Sequence, residues 1–277
     1  MGPLRFHLRG PGAAIAAAAH ARYACRRLRG ERREVLIGPE QPLLPEVMWK
    51  VLRVLGVRAA GEQGPRTVAC VHWSLATVTP PSTVPGAING RCVDISKRRV
   101  DAAMRAVFGY DSAVDPRRHH GPLVAKSEEN ARHDGRVLYG PLAAPAPHTF
   151  HQRLIDTETR GLLHELRIPI VAGAVPFLYV KRRPIADRFG HAASATTMAT
   201  PQDHLSPTEL ARVVALSAQL RLDVGEVDAL RDAHDGRLYV VDVNRTPWGP
   251  PRALGARGAE RALRRLADAY AELLLPA

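Results

Sequence analysis

The chain has 277 residues, of which 45% are hydrophobic and 5% aromatic, with a formal net charge of +12. That length and apolar fraction supply more core than one small domain uses, so two or three lobes are expected, and no apolar run is long enough to cross a bilayer. The basic balance favours polyanions. However, arginine is scattered through every segment, no helix-turn-helix or zinc-finger pattern accompanies it, and aromatics are too few for a base-stacking platform. Nucleic acid is therefore not the expected partner, and anionic small molecules suffice to explain part of the basic surface. Cys25, Cys70 and Cys92 are widely spaced and odd in number, unlike a disulfide framework or a zinc site, so a reducing cytoplasm is the expected compartment.

The chain opens MGPLRFHLRGPGAAIAAAAHARYACRR, with basic residues before an Ala-rich patch, as in a secretion signal. The patch is too weakly apolar for that and predicts a strand, RFHLR, followed by a helix. EVLIG, PEVMWKVLRVLG and RTVACVHW continue the alternation, an open α/β pattern over residues 1–115. No G-x-G-x-x-G follows these strands, so a dinucleotide fingerprint is absent. The Pro/Thr/Gly-rich stretch 74–90 predicts a surface loop beside a ligand. Ser96 can cap a helix whose apolar stripe is Val100, Ala103, Met104 and Val107. Lys97, Arg98 and Arg99 crowd its first turn against the macrodipole. They are either a solvated basic face or a cluster that receives an anionic substrate.

Residues 122–142 read as strand, polar loop, strand. Lys126 ends the first apolar strand and needs an anion or an exit to solvent. Ser127 and Asn130 can donate hydrogen bonds, and Gly135 allows close backbone approach. His119, His120 and His133 lie in loops without metal-ligand spacing and read as surface residues. TFHQRLI is a strand running into Asp156-Thr157. HELRIPIVAGAVPFLYVKRRP reads as a hairpin turning at Ala172-Gly173-Ala174. Arg167 within it needs an anionic partner if buried. Lys181, Arg182 and Arg183 end its second strand, and because facing alternates, Arg182 and Arg183 cannot both reach one site. Residues 184–205 read as a substrate-facing loop. Ser206-Pro207-Thr208-Glu209 is a helix start with a capping box, and a final amphipathic helix covers about Ala256 to Leu275.

The densest chemistry lies in DVGEVDALRDAHDGRLYVVDVNRTPWGPP, residues 223–251. EVDALRD and LYVVDVN predict a hairpin across Asp235-Gly236. Asp242 and Asn244, two apart, share a face. A three-residue loop His234-Asp235-Gly236, with Gly236 left-handed, places Asp228 opposite Asp242 and Glu226 opposite Asn244. Four oxygen-bearing side chains then converge, costly without a cation and suited to Mg²⁺. A solvated hairpin with acidic turn residues remains the alternative on spacing alone.

The string from Glu226 to Pro247 resembles the metal-binding end of the ATP-grasp superfamily. There an acid on one strand and an acid-x-Asn pair on the next hold Mg²⁺ against ATP phosphates. The resemblance implies an α/β ATP-grasp fold, with an N-terminal open α/β lobe over 1–115 and two α+β lobes clamping ATP over 116–277. By the same resemblance Asp228, Asp242 and Asn244 are metal ligands, with Mg²⁺ or Mn²⁺ as the metal, and Lys126 and Ser127 face the nucleotide phosphates. Gln152, Arg153, Leu154 and Ile155 form the adenine linker, Asp156 meets the ribose, and Arg167, Lys181 and Arg182 meet the transferred phosphoryl group. Asp242 stands where many members have Glu, and Glu226 where some have a phosphate-binding Arg, so Glu226 inherits no phosphate role.

The implied activity is ATP-dependent ligation of a carboxylate, activated as an acyl phosphate, to an amine. The partners are then small carboxylate and amine substrates, anionic ones included, with a homo-oligomer compatible and no membrane partner. Two rivals share the same nucleotide residues: a kinase acting on a small-molecule hydroxyl, and a non-catalytic basic module that responds to nucleotide.

Overall fold

The computed structural model describes residues 33–190 and 193–275. The expected strand RFHLR, the Ala-rich helix and Cys25 lie outside the described residues. The first unit is a parallel sheet in the order β2-β1-β3, from β1 (Glu34–Pro39), β2 (Arg58–Ala60) and β3 (Thr67–Trp73). Helix α1 (Val47–Leu55) makes the crossover, burying Val47, Met48, Val51, Leu52 and Val54 on one stripe. Gly56, left-handed at φ 71°, ends it, its N–H bonding back to Arg53 O.

Helix α2 (Lys97–Phe108) follows, with the Ser96 side chain accepting from Arg99 N. Next comes a small antiparallel sheet, β5-β4-β6, built from β4 (Gly121–Ser127), β5 (Arg136–Gly140) and β6 (Thr149–Arg153). The largest sheet runs β10-β9-β8-β11-β12, with β7 (Glu158–Thr159) beside β8. Its strands are β8 (Leu162–Val171), β9 (Leu178–Pro184), β10 (Ala195–Ala199), β11 (Val224–Arg231) and β12 (Leu238–Asn244), all antiparallel to their neighbours.

Alternation sorts the large sheet into two faces. Leu166, Ile168, Ile170, Val180, Val227 and Ala229 point into a core shared with α2 and with α3 (Pro207–Gln219). The opposite face carries Glu165, Arg167, Lys181, Arg183, Glu226 and Asp228. A second core joins α1 to α4 (Gly255–Leu274) through Leu263, Leu266 and Tyr270. Packing therefore crosses the expected boundary at residue 115. Helix α2 belongs to the core of the large sheet, and α4 to that of the first unit.

Three local expectations are corrected. Segment 184–205 contains β10, whose small polar residues hide a strand that only the free edge of β9 brings out. The second strand of the central hairpin begins at Leu178, several residues past the Ala172-Gly173-Ala174 turn; Pro176, without an N–H, cannot join the ladder. Finally, β11 and β12 turn over four residues, since Asp232 N bonds Arg237 O. Gly236 is left-handed as expected, at φ 68°. The register near the turn, Arg231 opposite Leu238, is then corrected by a bulge beyond Ala229, so that Asp228 still faces Asp242 and Glu226 faces Asn244.

Candidate active site

The polar face of the large sheet is built in rows. In one row Tyr179, Arg167, Asp228 and Asp242 lie side by side on β9, β8, β11 and β12. The Arg167 guanidinium grips Asp228 with both arms, Nε to Oδ1 at 2.7 Å and Nη2 to Oδ2 at 2.9 Å. Against the cost of burial, Arg167 and then Lys181 hold the Asp228 carboxyl down at about 2. In the next rows Glu165 pairs with Lys181 and, at 2.7 Å, with Arg183. Both of those cations are buried.

Arg182 is a correction. It projects to the other face, where its cross-strand neighbours are His164 and Ala195 and its Nη1 reaches Thr197 Oγ1 at 3.5 Å. Arg183, two residues from Lys181, takes the place beside it because strand facing has a period of two.

The small sheet supplies the facing wall. Lys126 at the end of β4 donates to Val241 O at 2.9 Å. Val241 is the bulge residue of β12, opposite no residue of β11, so its carbonyl is open to a side chain. Burial pushes the Lys126 ammonium down to about 8, with Asp242 opposing the shift. Lys97, at the start of α2, is only 6% exposed and stands 3.5 Å from Asp242 Oδ1. Sequence reasoning did not separate it from its neighbours. Arg98 is 68% exposed and pairs with Glu128, and Arg99 caps the end of α3 through Gln219 O. The available signal was the cation's unfavourable place at a helix N-terminus, which a tertiary carboxylate offsets.

Among the described residues no three His, Cys, Asp or Glu side chains form a ready-made metal cage. The donor set is instead two carboxylates and the Asn244 amide oxygen, which accepts from Thr246 N at 2.9 Å. Each carboxylate oxygen keeps a second lone pair. Such a sparse oxygen set suits Mg²⁺, which retains water and phosphate oxygens, and does not suit a soft metal.

No family model matches the chain, and no curated protein sequence does. Solved structures do. A D-alanine–D-alanine ligase from Bacillus anthracis superposes with TM-score 0.54 at 15% identity, covering 88% of this chain and 98% of that one. The ATP-grasp ligase PsnB with a minimal precursor gives 0.53 at 16%, covering 87% and 98%. The macrocyclase MdnC from Microcystis aeruginosa, bound with precursor peptide MdnA, gives 0.50 at 14%, covering 88% and 100%. The chain has the ATP-grasp fold. The Bacillus ligase has also been solved with ATP, and PsnB with Mg and ADP, both with TM-score 0.50 here.

Within this ATP-grasp fold the nucleotide expectations divide. Gln152 is buried on the same face as Lys126 and Phe150, with its Oε1 lacking a partner, and the Ser127 hydroxyl is likewise buried and unpartnered. Gly135 lies so close to Phe189 that a Cβ would stand 2.5 Å from its ring, so the close approach is made by a side chain of the 184–205 segment. Arg153 is turned elsewhere, to Asp232 at 2.9 Å, Asp235 at 3.2 Å and the Tyr239 hydroxyl at 2.8 Å. The N–H groups of Arg153 and Leu154 already bond Ser112 O and Pro122 O, and Ile155 is a core residue. Asp156 accepts from Glu158 N and stands 3.4 Å from His234, while its carbonyl takes Ala233 N at 2.7 Å. Arg153 and Asp156 therefore tie the linker to the turn of the β11–β12 hairpin.

Two charged residues flank Asn244, Arg245 after it in the chain and Glu226 opposite it, and only the second stood out in the sequence. Arg245 is fully buried and donates to Ser74 O, Cys92 O and Ala76 O. Glu226 is 3% exposed, and neither of its oxygens has a hydrogen-bond partner. Burial and the neighbouring Asp228 push its carboxyl up to about 7, against the pull of Arg167.

Proposed function

We propose that this chain is a Mg²⁺-dependent, ATP-using ligase that activates a carboxylate as an acyl phosphate and joins it to an amine. The observation that carries the reading is the meeting of a sparse oxygen set (Asp228, Asp242, Asn244) with buried or half-buried cations from two sheets and a helix (Lys97, Lys126, Arg167, Lys181, Arg183). A phosphoryl group in transfer carries spread negative charge, and cations fixed in a desolvated wall stabilise it without reorganising. Magnesium, when bound, would neutralise phosphate charge beside Asp228, Asp242 and Asn244.

In this reading Lys126, with Lys97 behind it, orients the nucleotide phosphates from the small sheet. Arg167, Lys181 and Arg183 hold the acid being activated, with Arg183 replacing Arg182 in that set. Gln152, on the same face as Lys126 and with its buried Oε1 unpartnered, completes the nucleotide wall. Residues up to about 95 and helix α4 form the supporting lobe, and the remainder forms the ATP-grasp lobes.

Calorimetry of ATP with and without Mg²⁺ on the wild type and on Asp242→Asn/Asn244→Ala tests the reading. Binding whose Mg²⁺ dependence disappears in the variant is the expected result, with a loss of at least about tenfold in Mg·ATP affinity. A folded wild type that does not bind ATP would overturn it.

A further inference from the structure

Glu226 is the one carboxylate among the described residues with both oxygens buried and neither hydrogen-bonded. Other buried acids are served. Asp101 accepts from the Ser112 N–H and hydroxyl, both at 2.8 Å, and Asp232 from Arg153 and His234 N. The isolation of Glu226 follows from its row. On β8 its neighbour is Pro169, which has no N–H and no polar side chain, and on β12 it is Asn244, whose oxygen is already bonded to Thr246. The nearest guanidinium, Arg167, is committed to Asp228 and leaves its Nε 3.6 Å from Glu226 Oε2, beyond hydrogen-bond range.

The Tyr179 hydroxyl, on the neighbouring row of the same face, is also buried without a partner. Loop 245–251 closes over Glu226 with Gly249, and a Cβ there would stand 3.7 Å from Oε1. A carboxylate left open in this way repels phosphate and carboxylate groups and attracts a cation with several donors. An alkylammonium offers three donors, matching two carboxylate oxygens and a phenolic oxygen.

We infer that Glu226, with Tyr179 beside it and Gly249 above, seats the ammonium group of the amine substrate, so that the accepted amines are those protonated in solution. This rests on the ligase reading for its meaning, since the seat lies one row from Arg167, the nearest of the cations that would hold the activated acid.

Calorimetric titration with n-butylammonium chloride, and with n-butanol as the uncharged control, tests the seat on the full chain, with and without saturating Mg·ADP. The ammonium seat is thus read whether or not nucleotide binds, and failure of Mg·ADP to bind would count against the ligase reading alone. The expected result is that n-butylammonium binds the wild type, n-butanol does not, and Glu226→Gln weakens the ammonium by at least about tenfold. Mg·ADP affinity is expected to move by less than about threefold. Equal ammonium binding in wild type and variant, no ammonium binding to the wild type, or a loss confined to Mg·ADP would overturn the inference, the last by giving Glu226 to the metal. Should Glu226→Gln fail to fold, Gly249→Ala makes the same comparison. Its added methyl meets its nearest atom, Val47 Cγ2, at an ordinary 3.4 Å while narrowing the space over Oε1.

Discussion

Arg245 and Glu226 are both buried charges beside Asn244, one following it in sequence and the other opposite it across the hairpin. Arg245 is served by three carbonyls of the segment Ser74–Cys92 and so stitches the end of β12 to the first lobe. Glu226 is served by none. A buried charge that its own fold satisfies is structural, whereas one left open on the site's face carries a standing cost that a ligand can remove. The same contrast separates Arg153, spent on the hairpin turn, from Lys126, which leans on a single bulge carbonyl.

The largest test of that contrast is stability. Arg245→Met should cost about 3–5 kcal/mol in urea unfolding, because three buried carbonyls lose a charged donor. Glu226→Gln should cost nothing or stabilise, since no bond is lost and a desolvated acid is neutralised. Equal losses in the two variants would erase the distinction.

A smaller effect sits at Lys50, a half-buried cation that, like Arg245, donates to backbone carbonyls, here Pro45 O and Gly249 O. Burial, then Arg252, lowers it from 10.5 to about 8, with Glu226 opposing. Between those values the unfolded chain binds the proton and the folded chain does not, so stability rises as pH climbs from about 8 towards 10.5. Thermal unfolding from pH 7 to 10.5 should show that rise, and Lys50→Met should flatten it, on the order of 1–2 kcal/mol once solvent screening is allowed for. An unchanged slope would mean that Lys50 is not desolvated. Smallest of all, Arg182→Ala should stay within about 0.5 kcal/mol of wild type in unfolding, because its head group faces solvent and Thr197. A larger loss would return Arg182 to the network around Glu165.

Much of this architecture was legible in the residues. Apolar alternation in EVLIG, LRIPIV and LYVVDVN marked β1, β8 and β12, and Ser206 with Glu209 marked a capping box that forms on both sides. The pairing of Asp228 with Asp242 was expected for a reason that proved incomplete: a four-residue turn and a bulge at Val241 together give the register that a three-residue turn alone would have given. Strand β10 and the role of Lys97 were not legible, because a strand edge and a carboxylate from elsewhere in the chain decide them.

The sequence by itself determined which side chains share a face, since the periods of strand and helix are fixed by backbone geometry. It therefore set Asp242 with Asn244, and Lys181 with one arginine but not both. Only the tertiary structure decided which of those faces is desolvated and which charge finds a partner. Burial and pairing depend on what the neighbouring strand, bulge or loop brings within about 3 Å, and no local pattern encodes that.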